Sequence, residues 1–576
     1  MTTTQKLQKK LNDSKAARWS ALIIVSLTMM MAYFFTDVMG PLETPLTKEG
    51  KIAYFDNGTF LTADSLAKVC IEKSVSIDEI VTGETYNLVY TENNKLKREN
   101  LAITHIYTLD DTTTATVGQY ILLENDTILN ATAIKAVGKK AEIEDKDVTK
   151  GKTYTVQHVD KDNKLIKENL TVTSTIKGLG WGNDNYGIFS GAYGYINVFL
   201  LMLFFGGIIL DKMGVRFTGV MSTGLMFIGA AIKWYAVDNS FEGEMFGLPT
   251  QVVIACLGFA IYGMGCEIAG ITVTKVIAKW FKGHEMALAM GLQVALARVG
   301  TACALFFALP IAQRFGIVSA PVLFGASALC IGLISYIVYC VMDKKFDKSA
   351  GIVESSADAD EQFKFSDLKV IFCNKGFWLI TFLCLIFYSA VFPFLKFATN
   401  LMIIKYNVSP DLAGMIPGLL PFGTILLTPL FGSLYDKIGK GATLMLIGSI
   451  LLTVVHVLFA LPLLNVWWFA VIVMILLGIA FSLVPSAMWP SVPKIIPMKQ
   501  LGSAYAIIFY IQNIGLSMVP VLIGNVIASN ATGGTTDYTM PMSIFALFGA
   551  IAIAISVLLK IVDKKYGFGL EKGNIK

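Results

Sequence analysis

Charge is scarce in this chain of 576 residues: Asp, Glu, Lys and Arg together make up 15%, where a soluble globular protein carries roughly 25%. With 54% hydrophobic residues and a mean hydropathy of +0.61, too little polar surface remains to keep so much apolar mass in water. A soluble enzyme is excluded. Cysteine is also sparse: of eight, all but Cys70 lie in or beside apolar runs, so neither a disulfide framework nor a metal motif follows. His105, His158, His284 and His456 are scattered without ligand spacing, and no metal or cofactor is assigned. The excess of 47 Lys+Arg over 42 Asp+Glu is small and forms no basic stripe, so it reads as membrane-flanking charge and not as a nucleic-acid footprint. Paired catalytic carboxylates are missing from the apolar runs, which argues against an intramembrane enzyme. The first run has no small-residue cleavage site and reads as a retained helix, not a signal peptide.

What is present is a series of about twelve apolar runs, each of about 20 residues, long enough to cross a hydrocarbon core near 30 Å thick. They predict an all-α polytopic membrane protein with spans at 19–40, 186–210, 217–237, 250–278, 286–311, 318–342, 376–402, 411–434, 442–462, 466–492, 501–528 and 541–562. A tail at 1–18, a linker at 343–375 between bundles at 186–342 and 376–562, and a tail at 563–576 complete the organisation. Lys6, Lys9, Lys10, Lys15 and Arg18, then Lys279 and Lys282, Lys437 and Lys440, and Lys564 and Lys565 fall on one side, which places both termini in the cytoplasm.

Residues 41–185 break the pattern. They are long enough for a domain, and runs such as Tyr86–Tyr90 and Tyr154–Gln157, bounded by Gly, Asn and Asp, predict a β-rich extracytoplasmic insertion. The segment repeats itself: Thr85-Tyr86, Asn94-Lys95-Leu96 and Glu99-Asn100-Leu101 recur as Thr153-Tyr154, Asn163-Lys164-Leu165 and Glu168-Asn169-Leu170. Two hairpin modules are expected, with the Asn-Lys step at or near each turn. Sequons at Asn57, Asn125, Asn130 and Asn169 without accompanying disulfides favour chance composition in a bacterial periplasmic domain, and hence a bacterial inner membrane, over a secretory glycoprotein.

The membrane part carries its own duplication. Gly207-Ile208-Ile209-Leu210-Asp211-Lys212-Met213-Gly214-Val215-Arg216 follows the second span, and Gly432-Ser433-Leu434-Tyr435-Asp436-Lys437-Ile438-Gly439-Lys440 follows the eighth. Each resembles the signature G-x-x-x-D-[RK]-x-G-[RK] of the major facilitator superfamily, and two copies six spans apart are a specific signal. A second register agrees with it: Lys279, Glu285, Arg298 and Gly300 stand 215 positions before Lys494, Gln500, Asn513 and Gly515, as two parallel repeats require. The resemblance implies a twelve-helix fold of two six-helix bundles and makes Asp211, Lys212, Asp436 and Lys437 gating candidates; Val215 departs from the basic residue usual in the first copy. Residues 291–300, Ala390-Val391-Phe392-Pro393-Phe394, Met488-Trp489-Pro490, and 500–505 with 511–516 resemble the lysosomal dipeptide transporters of animals within that superfamily. This likeness spans both bundles and leaves out the insertion.

Ionisable residues inside membrane helices mark substrate or ion pathways. Glu267 and Arg298 both fall near mid-span, where an anionic group for the ammonium of a zwitterion and a cationic fork for its carboxylate are needed. A structural Glu–Arg pair is the competing account. Gln512 and Asn513 occupy the counterpart of Arg298 and are cavity candidates, with polar helix packing as the alternative. Trp489, Tyr388 and Lys396 complete the substrate set, although Lys396 near a span end is explained equally by snorkelling. The first span lacks the E-x-x-E-R cluster of proton-coupled peptide transporters. The expectation is thus a monomeric uniporter of dipeptides working by alternating access, with an extracytoplasmic protein partner possible through the insertion. An exporter or exchanger of another small organic ion, or a membrane receptor built on the insertion, are the rivals.

Overall fold

The computed structural model describes residues 11–573 except 57, 59, 62–69, 93–94, 110–117, 143–147, 160–164, 282–285, 351–364, 463, 498–499 and 531–536. The chain divides into a helical unit, 1–48 with 178–576, and a second unit, 49–177. The second unit is narrower than the expected 41–185, because residues 40–47 continue the first membrane segment as a short helix and residues from 182 onwards are again helical.

The helical unit comprises α1 (Lys15–Asp37), α2, described below, α3 (Lys212–Asp238), α4 (Thr250–Trp280), α5 (Met286–Phe315), α6 (Ser319–Ala350), α7 (Lys375–Tyr406), α8 (Met415–Ile438), α9 (Gly441–Ala460), α10 (Trp467–Ile495), α11 (Leu501–Ser529) and α12 (Thr539–Tyr566). Among the described residues, eleven helices are long and apolar enough to cross a membrane. Local chemistry sets several ends: the Asn374 side chain caps α7 by accepting from Phe377 N at 3.1 Å, and Gly439 and Gly567 take positive φ where α8 and α12 stop. The linker expected from residue 343 starts later, since α6 runs on to Ala350.

The predicted uninterrupted second span is absent. α2 is built from a helix Gly182–Gly191, a 3-10 turn Ala192–Gly194 and a helix Tyr195–Phe199. After Leu201, at φ 51, the chain restarts in a helix that bends at Gly214. Glycines at 182, 187, 191 and 194 weaken the helix and admit close neighbours, which hydropathy does not register.

The duplication read from the sequence is visible in the packing. A Cβ on Gly300 of α5 would lie 2.0 Å from the Met30 carbonyl oxygen of α1, and a Cβ on Gly515 of α11 would lie 2.0 Å from Ser389 Oγ of α7. The same close approach is made at equivalent points of the two bundles. Lys279 and Lys494, also equivalent, each tie down a bundle end with different acceptors. Lys279 Nζ reaches Asp343 at 2.8 Å and Asp347 at 2.7 Å, in a cluster shared with Arg216, Trp280 and Tyr339. Lys494 Nζ donates to the backbone oxygens of Gly569 at 3.3 Å and Lys572 at 2.7 Å. These residues belong to a strap beyond α12 in which Leu570 is buried and the Glu571 carboxylate accepts from Thr443 N at 2.9 Å, capping α9.

The second unit is a sheet in the order β2-β1-β10-β9-β3-β8-β4-β5-β6-β7. Its strands are β1 (Glu49–Phe55), β2 (Phe60–Leu61), β3 (Cys70–Ser74), β4 (Thr85–Glu92), β5 (Lys95–Leu109), β6 (Gly118–Leu123), β7 (Ile128–Asn130), β8 (Ile134–Glu142), β9 (Thr153–Val159) and β10 (Leu165–Leu179). The two hairpins expected from the internal repeat are β4–β5 and β9–β10, with registers closing at Glu92 opposite Lys95 and Val159 opposite Leu165. Asn94 and Asn163, placed at the turns, lie outside the described residues. The copies share a device: Tyr86 Oη accepts from Val81 N at 2.9 Å and Tyr154 Oη from Thr149 N at 3.2 Å, each across a glycine at positive φ, Gly83 and Gly151. Alternate residues of each hairpin feed one of two separate apolar cores, around Tyr86, Leu88 and Tyr90 and around Tyr154, Leu170 and Val172.

A unit with its own cores folds on its own side chains. Replacing residues 49–177 by a short Gly/Ser linker is expected to leave the helical unit monodisperse in detergent, within about 5 °C of the intact Tm, as size-exclusion chromatography and thermal unfolding would measure.

Candidate functional site

Call the end of the helical unit where residues 48 and 178 join the second unit the insertion end, and the end where α1 begins and α12 stops the terminal end. Arg298 sits between them on α5, brought to α1 by the Gly300 contact. Its guanidinium carbon lies 5.6 Å from the Tyr33 ring centroid on α1, 5.2 Å from Phe392 on α7 and 5.7 Å from Phe481 on α10. An arginine of the first bundle thus rests on rings of the second. Stacking on aromatic faces holds the plane of the fork while leaving its edge donors available. Among the described residues no carboxylate lies within ion-pair distance of it.

Glu267, on α4, is half-buried, and one oxygen is fixed by the Tyr193 hydroxyl, which donates to Oε1 at 2.8 Å. Tyr193 reaches it from the 3-10 turn of α2, so the break in that helix aims the phenol. Glu267 and Arg298 do not pair with each other, and the carboxylate keeps Oε2 open among the described residues. Each therefore retains bonding capacity, of opposite sign.

The aromatic floor under Arg298 continues to two further sequence candidates. Tyr388 packs 5.5 Å from Phe392 and 5.8 Å from Phe481, and Trp489 Nε1 donates to its hydroxyl at 3.1 Å. Trp489 in turn stacks on Phe509 at 4.9 Å. Gln512 and Asn513 are buried on α11: Gln512 Oε1 accepts from Cys384 Sγ at 3.6 Å, while Asn513 donates to Phe509 O at 3.0 Å and leaves Oδ1 unpartnered.

Lys396 stands apart, toward the insertion end. Its Nζ pairs with Asp37 of α1 at 2.7 Å and donates to Thr36 O at 2.9 Å, joining the two bundles. Beyond it, Tyr538 before α12 donates to Glu43 at 3.0 Å, Asn400 donates to the Tyr538 oxygen at 2.7 Å, and Thr44 donates to Asn400 Oδ1 at 2.8 Å. The glycines of α2 complete this closure: a Cβ on Gly191 would meet Ser517 O at 2.1 Å and one on Gly187 would meet Pro520 O at 2.6 Å. Asp37, Glu43 and Lys233, a wholly buried lysine of α3, were not singled out by the sequence, because each lies near a span end where a charge reads as snorkelling. Their signal is spatial.

The sequence model of the Major Facilitator Superfamily matches residues 166–520 and 397–568, more than half of the chain. The chain belongs to the major facilitator superfamily. Relatives of this major facilitator include the lysosomal dipeptide transporter MFSD1 of Bos taurus, 26% identical over 389 residues that cover 66% of this chain and 78% of the relative. MFSD1 of Gallus gallus is 28% identical over 324 residues, covering 55% and 70%. Among solved structures, the nucleoside transporter NupG superposes with a TM-score of 0.52 at 14% identity, over 66% of this chain and 91% of NupG, which concerns the fold alone. As a major facilitator the protein is a multi-pass membrane transporter, and the two signature copies fall at the terminal end. There Lys212 and Lys437 are exposed and Asp436 is half-buried, while the side chain of Asp211 lies outside the described residues.

Proposed function

We propose that this transporter carries dipeptides as zwitterions by alternating access, as a facilitated uniporter with both termini in the cytoplasm of a bacterial cell. The observation that carries the reading is the pair of mid-depth groups left unpaired with each other: Arg298, planar and stacked at the bundle interface, and Glu267, held by Tyr193. Arg298 takes the substrate carboxylate through two parallel N–H donors, and Glu267 takes the ammonium. Tyr388, Trp489, Gln512 and Asn513 line the second bundle's side. Lys396 serves the closure at the insertion end and not the substrate, and Asp211, Lys212, Asp436 and Lys437 act as latches at the terminal end. Two relatives whose name specifies dipeptides support the substrate class.

Purified protein in liposomes is expected to take up free dipeptides down their gradient at a rate that an imposed proton gradient leaves unchanged. N-acetylated and C-amidated analogues should each compete at least about tenfold less well, since each removes one charged anchor worth ~1.5–3 kcal/mol. Equal competition by the amidated analogue would remove Arg298 from the site.

A further inference from the structure

Lys233 is the one wholly buried lysine among the described residues. Its Nζ lies 4.3 Å from the Phe35 ring centroid, 4.2 Å from Phe259 and 5.3 Å from Phe189. Its single hydrogen bond is a long one, to Phe35 O at 3.4 Å. No carboxylate of the described residues is within ion-pair distance of it. A cation held in an apolar place by ring faces and one carbonyl is poorly compensated, and such a residue persists where another state of the molecule uses it. The carbonyl that it touches belongs to Phe35, two residues before Asp37, and Asp37 is engaged by Lys396 of the other bundle at 2.7 Å. Lys233 lies within electrostatic reach of both the Asp37 carboxylate and Lys396, and of these two cations on different bundles only Lys396 is bound to Asp37.

We propose that Lys233 is the reserve counter-ion of Asp37: when the bundles part at the insertion end, Lys396 leaves with α7 and the Asp37 carboxylate passes to Lys233 within its own bundle. The exchange rests on the alternating-access reading given above. It has a definite energetic sign. In the closed state Lys233 is the unpaired charge; in the open state Lys396 stands in the opened vestibule, where water compensates it, and Asp37 is never left buried and alone. Lys233 is therefore a positioning residue for the open state and touches no substrate.

The test measures the two states directly. With the native cysteines replaced, spin labels at the exposed positions Ser240→Cys and Asn465→Cys, in the α3–α4 and α9–α10 loops, report the separation of the bundles at the insertion end by double electron–electron resonance in liposomes. Lys396→Met removes the closed-state partner and is expected to raise the ratio of long to short distances. Lys233→Met removes the open-state partner and is expected to lower that ratio at least about tenfold, with undiminished recovery of folded protein because an uncompensated cation has been deleted. In the double variant the ratio should fall back from that of Lys396→Met, since Asp37 is then unpaired in both states.

If Lys396→Met leaves the distances unchanged, the alternating-access reading falls. If Lys396→Met opens the protein but Lys233→Met matches the wild type or opens it too, the reserve-partner assignment alone is overturned. Loss of folded protein in both Lys233→Met and Lys233→Gln would overturn it as well, by assigning Lys233 to the core of the first bundle.

Discussion

Arg298→Lys should lower kcat/KM for dipeptide uptake by at least about a hundredfold while leaving the protein folded. The size of the loss follows from what the substitution removes. An ammonium presents no fork to a carboxylate, so the bidentate bond becomes a single one. It also stacks poorly on Phe392 and Phe481, the rings by which the guanidinium plane is held 5.2 and 5.7 Å away. A strongly hydrated lysine would instead withdraw toward water along the bundle interface. Loss of the second donor and of the orientation together is expected to supply the ~2.8 kcal/mol that makes a hundredfold. Uptake kinetics in liposomes, with thermal unfolding as the control for folding, decide the matter. Uptake indistinguishable from wild type would mean that the arginine is there for packing.

Gly300→Ala should strongly destabilise the helical unit, and Gly515→Ala at the equivalent place should have much less effect. The two built Cβ positions are equally close to a neighbour, 2.0 Å in each case, but the neighbours differ in what they can do. The Met30 carbonyl oxygen is part of the α1 backbone ladder, so α5 and α1 must separate, and overpacking of this sort costs about 1–3 kcal/mol or more. Ser389 Oγ belongs to a side chain that has no hydrogen-bond partner to lose and can rotate away. Ser389→Ala should therefore restore a Gly515→Ala protein and has no counterpart that restores Gly300→Ala. Unfolding midpoints in detergent would check both, and Gly300→Ala should also move Arg298, two residues away, off its rings.

The contrast between these glycines also marks how far the sequence can be read. Gly300 and Gly515, like Lys279 and Lys494, were legible because duplication leaves a fixed interval of 215 positions, and the two signature copies because a repeated motif, like an interval, survives in one dimension. Arg298 and Glu267 were legible because a charge in the middle of an apolar run has no cheap explanation. The hairpins of the second unit were visible in strand alternation and repeat. What stayed hidden depends on contacts between distant segments. Lys396 could be read as a substrate ligand or as a snorkelling lysine, and its pairing with Asp37, 359 positions away, was not visible in either reading. Lys233 went unnoticed because the three rings that close on it come from three separate segments. The broken α2 escaped because hydropathy weighs side chains, while the break is made by glycines whose value lies in the backbone approaching them.

The two clasps at the terminal end differ in when they can form. In the first bundle, Lys279, Arg216, Asp343 and Asp347 are all in hand once α6 has been synthesised, so that end can be tied while the second half of the chain is still on the ribosome. In the second bundle Lys494 finds its acceptors on Gly569 and Lys572, and the α9 cap comes from Glu571. These residues are made only after α12. The second bundle must therefore wait, inserted but unfastened, for the strap beyond α12 to emerge, and a ribosome stalled anywhere between α10 and Gly569 would leave a chain whose first half is finished and whose second half is not.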